Sequence, residues 1–285
     1  MKHHAPARTA LVLLAVGASM ALVGCSTGTG AGAGAAADPD CTPQSEFSTI
    51  SDGELLVVGP DYPPLFMYDG DEMSGVDGAI IADFAEANCL SPAVTVLPAA
   101  SVIEAIKGGQ ADVAAGGWYP TDERAEVIGQ TVPAYGDPAV LVGVDPTNSI
   151  EDYEGKLIGT TQGYLWSDDL QRWGGDNVKL YQSPDAVFQD LLNGRIDVAL
   201  MAVNEAAYRL DQNPGTDLTY VTIEPFEEVP ATLYPSVTNL PFTKDNAELG
   251  EALDTFLEEI RSSGRLAEIL KEYGIDESAA TPETE

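Results

Sequence analysis

The chain has 285 residues, and its 46 acidic residues against 13 basic ones give a formal net charge of −33 at pH 7. So negative a chain repels a phosphate backbone, which excludes nucleic acid as a partner; the acidity fits solubility at a cell surface or steering of cationic ligands. Both histidines, His3 and His4, lie in the first ten residues. This excludes a catalytic histidine and His-ligated metal in the rest of the chain, and we expect no metal, cofactor or catalytic residue.

The start of the chain has the pattern of a secretory signal peptide. Lys2 and Arg8 precede an apolar stretch, residues 11–23, which is shorter than the roughly 20 residues that span a bilayer. The stretch ends in Leu22-Val23-Gly24-Cys25, which resembles a lipobox and implies cleavage before Cys25 and diacylation of Cys25. An incidental cysteine behind an ordinary signal peptide is the alternative. We predict an extracytoplasmic protein attached to the cell membrane by its lipid alone.

A low-complexity segment follows this cysteine. Residues 26–40 are almost wholly Gly, Ala, Ser and Thr, which is typical of a flexible tether. The two other cysteines are Cys41, at the end of the tether, and Cys89. In an oxidising compartment an even pair indicates one disulfide, and two free thiols are the alternative.

Strand and helix patterns alternate in the next part of the chain. Hydrophobic spacing and turn residues predict a strand at 54–59, a turn-rich loop at 60–71, a helix at 78–90, a strand at 94–97, a helix at 101–107 and a strand at 111–115. Strands that alternate with helices are typical of a mostly parallel sheet in an α/β fold.

An internal repeat links the two halves of the folded part. Residues 105–114 match residues 190–199 at Ile/Leu, Gly, Asp, Val and Ala, and each copy reads as a helix with a glycine cap that leads into a buried strand. Chance similarity of two such units is the alternative. We interpret the repeat as a sign of two similar lobes.

Proline positions suggest where the chain crosses between the lobes. Asp145-Pro146 and Tyr234-Pro235 lie near the ends of the second series, and the helical patterns at 246–261 and 266–273 follow the second crossing. The second lobe is therefore predicted to be inserted in the first. The predicted organisation is a signal peptide at 1–24, a flexible linker at 25–51, lobe I at 52–142 and 236–275, lobe II at 143–235 and a disordered tail at 276–285.

In order and spacing, several segments resemble family 3 bacterial extracellular solute-binding proteins of the polar-amino-acid-binding type. The matching segments are 55–65, 75–90, 106–124, 133–135, 153–163, 192–199 and 253–273, which together cover essentially the whole folded part. The resemblance implies a type II periplasmic-binding-protein-like fold with two α/β lobes, two crossing strands and a ligand cleft. It also implies a monomeric, non-enzymatic binding component whose partner is the membrane permease of an ABC importer.

Arg124 is the first candidate ligand contact. Thr121 is a good N-cap for a short helix, and Arg124 would place a cation near the positive end of that helix, where a bound anion would offset the cost. The resemblance implies that Arg124 binds a ligand carboxylate. The alternative is a surface ion pair with Asp122 or Glu126.

Other candidates in the first lobe follow predicted strands. Gly117 would let the backbone approach a ligand, and Trp118 comes directly after it, although a plain core tryptophan is the alternative. Asp61 and Tyr62 follow the first strand, where open α/β sheets place their ligands. Tyr62 is predicted to stack on the ligand or to pack in the core.

The second lobe offers Gln162 and Gly163, which follow a strand and are predicted to present backbone amides at a helix N-terminus. Many relatives carry a small hydroxyl residue next, where this chain has Tyr164. That departure puts the size and chemistry of the pocket in question.

The acid that would hold an α-ammonium is absent. In amino-acid-binding relatives an acid stands five positions after the aspartate that corresponds to Asp197, and that position is Ala202 here. Asn204 or Glu205 could substitute for it, or aromatic rings could receive a methylated cation. We therefore predict a small polar ligand with a carboxylate, and favour a modified amino acid or an amino-acid-like compound over an ordinary one.

Two other functions share this architecture. A sensor module would bind the ligand and signal without transport, and a dehydratase-like enzyme would turn it over. With 46 acids in the chain, no pair of carboxylates is informative about catalysis. Recovery of an unchanged ligand separates a binder from an enzyme.

Overall fold

The computed structural model describes residues 41–70, 72–233 and 236–281. The predicted signal peptide, the predicted lipidation site at Cys25 and the tether at 26–40 lie outside these residues, as does the predicted crossing at Tyr234-Pro235. Within the described ranges, no helix is both long enough and apolar enough to cross a membrane.

Helices and strands alternate through most of the described chain. The strands are β1 (Glu54–Gly59), β2 (Met67–Asp69), β3 (Glu72–Ser74), β4 (Ser91–Val96), β5 (Val113–Ala114), β6 (Gly129–Gln130), β7 (Ala139–Gly143), β8 (Ile158–Thr161), β9 (Val178–Tyr181), β10 (Val198–Ala202), β11 (Thr219–Thr222) and β12 (Pro241–Phe242). The α-helices are α1 (Val76–Ala87), α2 (Ala99–Lys107), α3 (Asp122–Ala125), α4 (Ser167–Gly174), α5 (Pro184–Leu192), α6 (Val203–Asp211), α7 (Ala247–Ser263) and α8 (Arg265–Glu272).

Two five-stranded sheets organise these elements. The order of the first sheet is β4-β1-β5-β12-β6 and that of the second is β11-β7-β10-β8-β9. We call the first sheet with α1, α2, α7 and α8 the first lobe, and the second sheet with α4, α5 and α6 the second lobe. The chain leaves the first sheet after β6 and returns to it at β12, so the second lobe is inserted in the first. The predicted two-lobe α/β fold is confirmed.

The central strands of each sheet are buried on both faces, and their sequences explain why. In β1, Leu55 and Val57 join one apolar cluster, whereas Val58 joins the cluster on the opposite face. In β10, Leu200 and Met201 are divided in the same way between the two clusters of the second lobe. Successive side chains point to opposite faces, so a continuous apolar run fits a strand covered on both sides.

The repeat predicted from the sequence has a structural counterpart. Gly109 follows α2 with a φ of +64°, and Gly194 follows α5 with a φ of +65°. Both are in the left-handed region that glycine adopts most readily, and each lets the chain turn into a buried strand of its own sheet.

The crossing between lobes lies earlier than predicted. The sequence predicts that lobe I extends to residue 142 and so includes most of β7. In the structure β7 pairs with β10 and β11 and belongs to the second sheet. The two crossing segments meet at Gly136 and Val237, which form an isolated antiparallel bridge. The physical reason is that β7 is buried along its whole length and extends the second sheet, so Asp145-Pro146 falls beyond its end rather than at a crossing.

The segment that enters the fold is packed from residue 41 onward, although the linker was predicted to extend to 51. Cys41 and Cys89 form a disulfide with a Cα–Cα distance of 5.8 Å. The Gln44 N–H donates to the Ala87 carbonyl at 3.1 Å. Phe47 stacks on Phe84 with ring centroids 5.6 Å apart, and this apolar contact ends the linker sooner than its composition suggested.

The start of the predicted disordered tail is also ordered. Residues Glu277–Ala280 form a 3-10 helix, and Ala280 is buried in the first lobe's core. The Ala279 carbonyl accepts from the Gly136 N–H at 2.8 Å, and the Ala280 carbonyl accepts from Arg261 Nε at 3.2 Å. The polar composition of this segment suggested disorder, but Ala279 attaches it to the crossing segment and Ala280 attaches it to α7 and the core.

Candidate functional site

A cavity of about 680 Å³ lies between the two lobes. Its size suits a small molecule rather than a macromolecule. Eight of the ten predicted ligand-binding residues line it, namely Asp61, Tyr62, Gly117, Trp118, Arg124, Gln162, Gly163 and Tyr164. The structure therefore brings together residues from both halves of the chain, as the two-lobe interpretation requires.

The two remaining candidates, Thr121 and Asn204, do not line the cavity. Thr121 Oγ1 accepts from the Arg124 N–H at 3.1 Å, which confirms its N-cap role and commits its hydroxyl to the helix. Asn204 is buried, and its side-chain amide donates to the Gly136 carbonyl at 3.3 Å. Both residues support the site without facing the ligand space.

Gln162 and Gly163 line the cavity, but in a different role from the one predicted. Helix α4 begins only at Ser167, so neither residue stands at its N-terminus. The Gln162 N–H donates to the Tyr181 carbonyl at 2.8 Å, which removes it as an anion donor. An extra turn between β8 and the helix, which the sequence pattern did not reveal, accounts for the difference.

A buried carboxylate positions the loop that carries Gly117 and Trp118. Asp77, in the first turn of α1, accepts from the Gly116 and Gly117 N–H groups at 2.6 and 2.8 Å and from the Tyr135 hydroxyl at 2.7 Å. A Cβ atom at Gly117 would lie 2.5 Å from Leu65 Cδ1, and its φ is +69°. Only glycine fits there, so the backbone stays close to the cavity.

Arg124 is the only basic side chain among the described residues that line the cavity. Its guanidinium lies over the Trp118 ring, 5.0 Å from the centroid, and donates to the Tyr119 carbonyl at 2.5 Å. Burial lowers the pKa of Arg124 to about 10, and the charge of Glu123 opposes this. Within the described ranges it forms no ion pair, so the alternative of a surface pair with Asp122 or Glu126 is not what the structure has.

Aromatic rings from both lobes wall the cavity. Tyr62 meets Tyr164 edge to face at 6.0 Å, and Tyr164 meets Trp166 edge to face at 5.3 Å. Tyr119 lies 6.1 Å from Trp166. These rings offer apolar area and electron-rich faces to a ligand.

Glu205, in the first turn of α6, joins the lobes without lining the cavity. It is fully buried, and its Oε2 accepts from the Tyr62 hydroxyl of the first lobe and from the Tyr164 hydroxyl at 2.7 Å. Burial raises the pKa of Glu205, against the lowering effects of the Arg209 charge and the two tyrosine hydroxyls. Glu205 thus holds two cavity-lining tyrosines in place.

Asp137 is a cavity-lining acid that the sequence analysis missed. It lies on the first crossing segment, is 1% exposed, and its Oδ1 accepts from the Asn204 N–H at 3.1 Å. Burial raises the pKa of Asp137 well above its ordinary value; the hydrogen bond from Asn204 lowers it, and the Glu205 and Asp77 carboxyls raise it. The sequence does contain a signal for this residue. Asp137 is the single charged residue between the apolar runs at 133–135 and 138–143, and an isolated charge in such a position indicates a buried functional acid.

The described residues contain no group of three or more His, Cys, Asp or Glu side chains suited to a metal ion. The arrangement is instead that of a binding cleft, with one guanidinium, several rings and a buried carboxylate facing a common space. The sequence profile of bacterial extracellular solute-binding proteins, family 3, matches residues 55–276. The chain belongs to this family.

Individual relatives agree with this assignment. The lysine/arginine/ornithine-binding periplasmic protein of Escherichia coli (strain K12) is 26% identical over 184 residues, which cover 61% of this chain and 68% of the relative. Two solved structures share the fold. An ABC uptake transporter substrate binding protein from Streptococcus pneumoniae with bound histidine has a TM-score of 0.69 at 18% identity and covers 81% of this chain and 95% of its own. The GluR0 ligand binding core in complex with L-glutamate has a TM-score of 0.68 at 18% identity, over 77% of this chain and 97% of its own.

Proposed function

We propose that the protein is the extracytoplasmic solute-binding component of an ABC importer and captures a small polar compound with a carboxylate, such as an amino acid or a modified amino acid, in the interlobe cavity. Arg124 is the observation that carries the proposal. Its guanidinium lines a cavity of about 680 Å³ and has no acidic partner within the described residues. A ligand carboxylate would supply that partner through charge-assisted hydrogen bonds.

The relatives support the transport role. The E. coli protein is named as a periplasmic binding protein for lysine, arginine and ornithine, and the streptococcal one as part of an uptake transporter. In this proposal a membrane permease is the partner of the closed, ligand-bound form, and the binding protein acts as a monomer that returns its ligand unchanged.

The first test is on the ligand itself. We expect mass spectrometry of the purified protein to identify a copurifying compound with a carboxylate, and Arg124→Ala to weaken its binding about 10- to 100-fold in calorimetry, the equivalent of one charge-assisted hydrogen bond. Arg195→Ala is the matched control, because Arg195 is an exposed arginine paired with Asp190. Binding that is equally tight in both variants would contradict the role of Arg124.

The proposal also includes the lipid anchor at Cys25. The apolar stretch before it is too short to span a bilayer, and the tether behind it would let the folded lobes stand off the surface. We expect Cys25→Ala to move the protein from the membrane fraction to the soluble fraction of the producing bacterium, since the acyl chains would be its only attachment. Immunoblots of fractions washed in high salt check this, and retention of the variant on the membrane would rule the anchor out.

A further inference from the structure

A carboxylate without a cationic partner faces the cavity from the first crossing segment. Asp137 lines the cavity and is 1% exposed. Within the described residues, no lysine or arginine forms an ion pair with it. A buried carboxylate is costly unless a cation or several donors compensate it, and a positive group on a ligand would supply that compensation at this position.

Asp137 lies near the end of β10, where amino-acid-binding relatives carry an acid and this chain has Ala202. Ala202 is the last residue of β10, pairs with Ala139 of β7 and lines the same cavity. Two residues further on, the Asn204 N–H donates to Asp137 Oδ1 at 3.1 Å. Asp137 and Ala202 therefore line the same cavity from neighbouring segments.

The second oxygen of Asp137 lies close to the backbone that lines the cavity. Gly117 and Asp137 both line the cavity, and a Cβ atom at Gly117 would lie 3.8 Å from Asp137 Oδ2. The neighbouring acids accept more hydrogen bonds than Asp137 does. Asp77 accepts from two backbone N–H groups and Tyr135, and Glu205 accepts from Tyr62 and Tyr164 through Oε2, although its Oε1 has no partner within the described residues. The Asp137 side chain accepts from the Asn204 N–H alone among the described hydrogen bonds.

We infer that Asp137 receives the cationic nitrogen of a zwitterionic ligand whose carboxylate lies at Arg124. This inference rests on the proposed function and narrows its ligand class from small carboxylates to zwitterions. In this inference the acid that binds the cationic nitrogen lies on the crossing segment at Asp137, and not at the end of β10, where this chain has Ala202. The Tyr119 hydroxyl donates to the Asp137 carbonyl.

The test compares matched probes with and without the positive charge. Calorimetry on the purified protein would use the common L-amino acids against their 2-hydroxy acids, and glycine betaine against 3,3-dimethylbutanoate. We expect the wild-type protein to prefer the zwitterion by about 10-fold or more, and Asp137→Asn to weaken zwitterion binding about 10- to 100-fold while binding of the monoanion changes by less than about threefold. Asparagine keeps an acceptor for the Asn204 N–H, so we expect the variant to fold.

Asp217→Asn is the matched control, because it removes the charge of an exposed acid that does not line the cavity. It should leave both probe types within about threefold of wild type. Zwitterion binding that is lost in Arg124→Ala but kept in Asp137→Asn would overturn this inference and leave the proposed function standing. Absence of binding for every probe would overturn both. If Asp137→Asn does not fold, the wild-type preference decides: equal affinity for zwitterion and monoanion refutes the role of Asp137.

Discussion

Asp77→Ala is expected to lower the free energy of unfolding by about 3–5 kcal/mol, because it leaves three buried donors without an acceptor. The donors are the Gly116 and Gly117 N–H groups and the Tyr135 hydroxyl. Each unsatisfied buried donor costs about 1–3 kcal/mol, and water that enters the space left by the carboxylate reduces the sum. Urea denaturation followed by circular dichroism measures the change.

Two variants sharpen this test. Asp77→Asn keeps the shape and one carbonyl oxygen, and since burial already raises the pKa of Asp77, loss of the charge itself is expected to cost less than loss of the acceptor. Asp83→Ala removes an acid on the same helix that forms a partly exposed ion pair with Arg265, and should cost less than about 1 kcal/mol. A similar cost for Asp77→Ala and Asp83→Ala would show that the loop does not depend on Asp77.

Removal of the disulfide is the second change with a large expected effect. Cys41 and Cys89 are 48 residues apart in the chain, and a loop of that length corresponds to about 4 kcal/mol of stability in the chain-entropy account. We expect a double Cys41→Ala, Cys89→Ala variant to lose about that much in urea denaturation. Ligand affinity should be unchanged, since neither cysteine lines the cavity.

The reductant provides the control for this prediction. Dithiothreitol should destabilise the wild-type protein to the level of the double variant and should have no effect on the double variant itself. Equal stability of wild type in oxidising and reducing buffer would contradict the prediction. The contacts of Gln44 and Phe47 with α1 remain in either case, so the entering segment has a second attachment.

Much of the fold could be predicted because it depends on local pattern. The alternating contributions of Leu55, Val57 and Val58 to opposite faces of β1 are visible in the sequence, and the glycines at 109 and 194 mark equivalent helix ends. The crossing point could not be predicted in the same way. An apolar run such as β7 fits either sheet, and only its pairing with β10 and β11 decides which.

The candidate site likewise contains residues that local sequence motifs predict and residues whose roles depend on long-range contacts. Tyr62 and Arg124 follow recognisable local motifs, so their place at the cavity could be predicted. Asp137 and Glu205 owe their roles to residues far away in the sequence, since Asn204 is 67 positions from Asp137 and Glu205 is 143 positions from Tyr62. Hydrophobic periodicity predicts local helices and strands, but it does not predict contacts between residues so far apart in the sequence. Among 46 acids, burial in the assembled fold sets these two apart together with Asp77 and Asp112.

The short helix Glu277–Ala280 affects where a fluorescent label should be placed if this protein is made into a ligand biosensor. Its Ala279 carbonyl accepts from the N–H of Gly136, the residue next to Asp137, so this end of the folded chain is attached to the first crossing segment. If the lobes close on the ligand as the proposed function expects, a fluorophore attached at Thr281 should report little of that motion, because the crossing segment connects the two lobes. We expect a reporter pair on the exposed residues Glu104 and Asp185, one in each lobe, to report closure as a change in the distance between them.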